Sequence, residues 1–206
     1  MAHYKGIFRY AALLLTLLFP ASRASSSVNS PEPAPDFTLT STDGTTWSMS
    51  ELKGKTIVLE WTNPGCPFVV RHYEKEGMPG LQRKYAEQGV LWFTVNSTNA
   101  EHENYLEAAD LAAVYSKWES AATAHLMDAD GKAGKSYGAK TTPHIFIIDS
   151  NGNLAYQGAV DDDPRGKKER KDRINYVDQA LGALLAGAKP AVSSSQPYGC
   201  SVKYSK

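Results

Sequence analysis

The run Thr56 to Pro67, TIVLEWTNPGCP, constrains this chain more than any other segment. Its first six residues form a nearly continuous apolar run and include three β-branched residues, Thr56, Ile57 and Val58, the pattern of a central strand covered on both faces. A turn, Asn63-Pro64-Gly65, delivers the chain to Cys66, and Pro67 opens a stretch of helical composition that continues to Gln88 with a break at Gly77-Met78-Pro79. Proline is well tolerated at the first helical position, which places Cys66 at or next to the N-cap. There the unpaired N–H groups and the positive end of the helix dipole favour thiolate over thiol. A cysteine so placed reads as a nucleophile; the alternative is an inert residue or one half of a static disulfide.

Strand and helix patterns alternate around this unit. Phe37-Thr38-Leu39 followed by Asp43-Gly44 reads as a short N-terminal hairpin. Val90 to Val95 is a second buried strand, and Glu101 to Trp118 has apolar residues at a helical period. His125 to Met127 reads as an edge strand. Ile145 to Ile148 and Leu154 to Gln157 flank Asp149-Ser-Asn-Gly152 as an antiparallel hairpin, and Ile174 to Ala186 is an amphipathic helix. One α/β domain with a mixed central sheet flanked by helices follows, spanning residues 36–187. The tryptophans fall in these elements and read as core.

The termini differ from the domain. Lys5 and Arg9 precede the apolar run Ala11 to Phe19, and Ser22-Arg23-Ala24 offers small residues for cleavage, so residues 1–24 read as an export signal. The apolar run is about half the ~20 residues that span a bilayer, so no stable membrane anchor is expected after cleavage. The mature chain is expected to be secreted or periplasmic, where a disulfide can persist. Residues 25–35, rich in Ser and Pro, read as a flexible leader, and residues 188–206 as a mobile C-terminal tail carrying Cys200. Three of the 22 basic residues fall in the signal, leaving 19 against 22 acidic ones. A weakly acidic chain has no phosphate-neutralising surface, so nucleic acid is not an expected partner. Two cysteines are too few for a disulfide scaffold or a Cys-rich zinc site. No cofactor site is read from the sequence.

From about Pro35 to Leu185 the chain resembles the thioredoxin-fold redoxins, in particular extracytoplasmic thiol–disulfide oxidoreductases and a peroxiredoxin-like branch. The strand TIVLEW, the loop Thr62-Asn-Pro-Gly-Cys66-Pro67, the segment Thr141-Thr142-Pro143-His144 and the hairpin after it carry the resemblance. It implies a thioredoxin-like fold and a cis bond before Pro143, which faces the active cysteine. It also implies that Thr142 offers backbone hydrogen bonds to an extended substrate, with Pro67 beside it. The substrate would be a protein thiol or disulfide, or a peroxide, with an external thiol reductant. The sequence departs from both parent patterns. Val69 stands where thioredoxins carry their second cysteine, and Leu59 and Asn63 stand where peroxiredoxins carry a Pro and a hydroxyl residue.

Glu60 lies where thioredoxins have a buried acid, and a carboxylate in a buried strand can serve cysteine proton transfer; its alternative is a strand-end glutamate reaching solvent. Cys200 is the one other thiol, so it is the candidate resolving partner of Cys66. The same bond could instead be structural, in a non-catalytic binding module, or join two subunits. His72, more than a turn beyond Cys66, reads as a surface histidine. His144 could approach Cys66 across the proline and, with Cys66 and another ligand, bind copper, as in the Sco-like relatives of this fold, although their Cys-x-x-x-Cys is absent, with Val70 at the second position. Asp161 to Asp163 and the basic run after it read as a solvated loop.

Overall fold

The computed structural model describes residues 1–3 and 32–205. Residues 4–24 of the expected export signal and 25–31 of the leader lie outside the described residues. Among the described residues, no helix is long and apolar enough to cross a membrane.

The strand of the TIVLEW run, β3 (Ile57–Trp61), is buried at every residue and sits inside a seven-stranded mixed sheet. Around it lie β1 (Thr38–Ser41), β2 (Thr46–Ser48), β4 (Leu91–Asn96), β5 (Ala124–Met127), β7 (His144–Ile148) and β8 (Leu154–Gly158), in the order β2-β1-β5-β4-β3-β7-β8. β3 runs parallel to β4 and antiparallel to β7. The helices are α1 (Pro67–Glu74), α2 (Met78–Ala86), α3 (Ala108–Lys117), α4 (Lys132–Tyr137) and α5 (Tyr176–Leu185). Two further strands, β6 (Thr141–Thr142) and β9 (Cys200–Ser201), form a separate antiparallel pair.

Alternation along β3 divides the core. Val58 points to the face packed by Val69 of α1, Tyr85 of α2, Leu111 of α3 and Leu181 of α5. Ile57, Leu59 and Trp61 point to the other, where Phe93, Phe146 and Tyr137 of α4 meet them. A strand buried on both faces has no polar side on which to alternate, which is why its sequence is apolar at every residue but Glu60.

Several expectations are corrected. β5 is not an edge strand: the N-terminal hairpin pairs onto it through β1, placing it between β1 and β4. The helix expected over 101–118 begins only at Ala108. Before it, side chains compete for the backbone: Asn99 Oδ1 accepts from Glu101 N–H and His102 Nδ1 from Asn104 N–H. The end of the leader is tied down, since Leu154 N–H donates to Glu32 C=O and Ala34 N–H to Gly152 C=O.

The tail is a strap laid across the molecule. Ser193 and Ser195 exchange backbone hydrogen bonds with Gln157, β9 pairs with β6, and Val202 N–H donates to Lys140 C=O. Asn99 N–H donates to Lys203 C=O, and the Tyr204 hydroxyl to Ala139 C=O. The expected mobility came from Ser and Pro content alone. These backbone partners are spread over distant parts of the sequence and leave no local signature.

Candidate active site

Cys66 is the N-cap of α1, in extended conformation at φ −90°, ψ 120°, with Pro67 exposed in the first turn. Its loop is held by Asn63, whose Oδ1 accepts from Gly65 N–H at 2.7 Å and whose Nδ2 donates to Thr98 Oγ1 at 2.8 Å. Cys66 is only 2% exposed. Facing it is the Thr142–Pro143 bond, which is cis, and Cys66 Sγ donates to Thr142 C=O at 2.9 Å. Cys200 lies directly opposite Thr142 in the β6–β9 pair. Both thiols are free.

The two sulfurs differ electrostatically. Burial works against a thiolate at Cys66, but hydrogen bonds from the Thr142 and Cys200 side chains and the Val69 and Cys200 backbone outweigh it, lowering the pKa. The Val69 N–H belongs to the first turn of α1, one of the donors that a helix leaves unpaired there. As a thiol, Cys66 donates to Thr142; as a thiolate, it gives up that bond and accepts from these donors. Cys200 is pushed the other way, above the ordinary thiol, by burial and by its hydrogen bond and charge repulsion with Cys66. Of the two, Cys66 is thus the thiol more readily deprotonated and Cys200 the one that more readily keeps its proton.

A cavity of about 130 Å³ opens beside the sulfurs, lined in part by Asn63, Asn104, Thr142 and Lys203. Neither Asn104 nor Lys203 was anticipated from sequence, because each reaches the site through a loop or strap whose path is set by tertiary contacts.

Glu60 is fully buried on the Cys66 side of β3. Its Oε2 accepts from Trp92 Nε1 at 2.8 Å and from the Tyr73 hydroxyl at 3.1 Å, while Oε1 has no hydrogen-bond partner. Burial raises its pKa to about 7 against the opposing effect of those donors. The expected alternative, a glutamate reaching solvent, does not hold. Glu60 makes no hydrogen bond to Cys66 among the described residues; it reaches α1 through Tyr73.

Three further expectations are corrected. His72 is 2% exposed: Nδ1 pairs with Glu76 at 2.8 Å and Nε2 meets the Tyr198 hydroxyl at 3.0 Å. The tail covers a face that the helix alone would expose. Asp161 and Asp163 are likewise buried, because Arg173 pairs with both and the Lys167 and Lys168 N–H groups donate to Asp163. His144 belongs to the opposite face of the sheet, packed on Phe146, with Nδ1 accepting from Lys140 N–H. Parity along β7 thus keeps it from Cys66, and a copper site on those two residues does not assemble.

A thioredoxin-like α/β fold with an N-capping cysteine facing a cis-proline defines a class of thiol proteins, and the sequence places the chain within it. A family model described as Redoxin matches residues 29–174, so the chain belongs to the Redoxin family. A hypothetical protein from Sinorhizobium meliloti 1021 is 26% identical, with a TM-score of 0.75 over 87% of this chain and 96% of its own. An uncharacterized conserved protein from Geobacillus kaustophilus is also 26% identical, with a TM-score of 0.75 over 85% of this chain and 92% of its own. A secreted disulfide oxidoreductase of Mycobacterium tuberculosis homologous to E. coli DsbE shares the fold, at 20% identity and a TM-score of 0.51 over 73% of this chain and 95% of its own. No curated protein matches the chain.

Proposed function

We propose that this chain is an exported thiol–disulfide oxidoreductase in which Cys66 attacks and Cys200 resolves. The observation that carries this reading is the strand pairing of Cys200 with Thr142, whose carbonyl accepts from Cys66. Family membership and the DsbE-like fold support it, and the absence of a hydroxyl residue at Asn63 weighs against peroxide as the main substrate. Export rests on the n-region, apolar run and small-residue site of residues 1–24.

The Cys66 thiolate attacks one sulfur of a substrate disulfide. That bond breaks, and its electron pair leaves on the second substrate sulfur, which takes up a proton. Cys200, once deprotonated, attacks the Cys66 sulfur of the mixed disulfide and expels the first substrate sulfur as thiolate. The substrate is reduced by two electrons and the Cys66–Cys200 disulfide forms. An external dithiol, itself oxidised, restores both thiols. Glu60 is assigned proton exchange in this scheme because its buried carboxyl is raised to about 7 on the sheet face that Cys66 shares.

A Cys200→Ser variant tests the scheme. Treated with a protein disulfide, it should accumulate a mixed disulfide at Cys66, whereas the wild-type chain passes to an internal Cys66–Cys200 bond that glutathione reverses. No adduct at Cys66, or an internal bond that resists glutathione, would point to a static structural role.

A further inference from the structure

The tail brings a third residue into the neighbourhood of the pair. Tyr198 precedes Cys200 by two residues, separated from it by Gly199. Its hydroxyl donates to Asp161 Oδ1 at 2.5 Å and meets His72 Nε2 at 3.0 Å. Its ring stacks on His72 and tilts against Phe68, with the Arg71 guanidinium 5.8 Å from its centroid. Phe68, Arg71 and His72 all belong to α1, the helix that Cys66 caps. Tyr198 therefore fastens the strap to the same rigid element that carries the nucleophile.

Behind the hydroxyl lies a buried charged cluster. His72, Glu76 and Asp161 offer ligand atoms within 4.8 Å of one another, a spacing compatible with a cation. The Arg173 guanidinium already meets Glu76 Oε2 at 3.1 Å and Asp161 Oδ2 at 3.5 Å, so the cationic position is filled by the chain itself. With both carboxylates compensated, the cluster presents a fixed acceptor to the Tyr198 hydroxyl. Taking that hydroxyl away leaves the buried Asp161 Oδ1 with the Asp163 N–H as its remaining donor, at 2.9 Å, and loss of one of two donors in a buried site is costlier than loss of an exposed bond.

We infer that Tyr198 is a positioning residue for thiol–disulfide exchange, its hydroxyl latching the strap to the His72–Asp161 cluster so that Cys200 stays over Cys66. This rests on the exchange reading above and adds to it the element that sets the local concentration of the resolving thiol. Tethering converts the attack of Cys200 on the Cys66 mixed disulfide into an intramolecular step whose effective concentration depends on how narrowly the strap is held. The same latch closes Cys66 from solvent, so a substrate disulfide reaches the sulfur only while the strap is lifted. In the exchange step itself the bonds are those already given: S–S forms between Cys66 and Cys200, and the substrate sulfur leaves as thiolate.

The test is a Tyr198→Phe variant, which keeps the ring and its packing and removes only the hydroxyl. Equilibration with glutathione, read by mass spectrometry, should show the constant for Cys66–Cys200 disulfide formation falling about tenfold, or about 1.4 kcal/mol. Cys66 in the reduced variant should be alkylated several times faster than in the wild-type chain. Tyr85→Phe, which loses a hydroxyl bonded to Asp178 of α5 and to no residue of the strap, controls for general loosening and should change neither readout. Wild-type values of both in Tyr198→Phe overturn the latch. If Tyr198→Phe does not fold, His72→Asn, which withdraws one partner of the hydroxyl, should shift both readouts in the same directions, and unchanged values there overturn the proposal equally. If the wild-type chain forms no Cys66–Cys200 bond, the exchange reading fails, and the alkylation rates of Cys66 still decide the latch on their own.

Discussion

Cys66 and Cys200 carry the same side chain, and their neighbours shift the two thiols' acidities in opposite directions. Glu60 shows the same principle with a carboxylate: its folded-state pKa of about 7 stands above the ordinary 4.5 because burial disfavours the charge. With Oε2 engaged by donors, Oε1 is the atom that takes the proton. Between those two values the folded chain holds a proton that the unfolded chain has released, so this contribution is complete below about pH 4.5 and is lost as pH rises through about 7. The linked loss reaches about 3 kcal/mol. His125 and His144, lowered to about 4 by burial, act in the opposite sense and cost stability as pH falls below 6.5. The useful quantity is therefore the difference from Glu60→Gln, which cannot titrate. Urea unfolding should show Glu60→Gln gaining on the wild-type chain between pH 5 and pH 8, and a constant difference would mean that Glu60 is not protonated when folded.

At the scale of elements, the β6–β9 pair decides access to the sulfur. Gly199 has φ 135°, and a Cβ built on it would lie 2.0 Å from the Thr142 carbonyl oxygen, a backbone atom that cannot yield. Gly199→Ala should therefore unseat the strap at a local cost of at least ~1 kcal/mol, speed alkylation of Cys66, and slow formation of the internal disulfide. Wild-type rates would show that β9 does not guard the thiol. The elements that place Cys66 were legible in sequence because each has a local cause: an apolar run for β3, Gly77 between α1 and α2, Pro67 at the start of α1. The strap was not. Its Ser- and Pro-rich composition matches that of a solvated tail, and only partners such as Gln157, Lys140 and Asn99 give it a path. Burial of His72 and Asp161 went unread for the same reason, since a partner both share is the Tyr198 hydroxyl, 126 positions beyond His72 in the chain.

Across the whole molecule, a Cys66–Cys200 bond would close nearly the entire domain into one loop. In the chain-entropy model, restricting so long a loop in the unfolded state stabilises the oxidised form by about 4–5 kcal/mol, an upper figure because native strain and residual unfolded structure subtract from it. Oxidised protein should accordingly unfold at higher urea than reduced protein, and equal midpoints would show that closing the bond distorts the fold by as much as it restricts the unfolded chain. The account as a whole turns on which sulfur is the nucleophile, and alkylation of the reduced wild-type chain against pH, with the two cysteine peptides counted separately by mass spectrometry, reads this directly. Cys66 should show its inflection below the free-cysteine value of about 8.5 and Cys200 above it. Inflections that coincide near that value, or Cys200 titrating first, would contradict it.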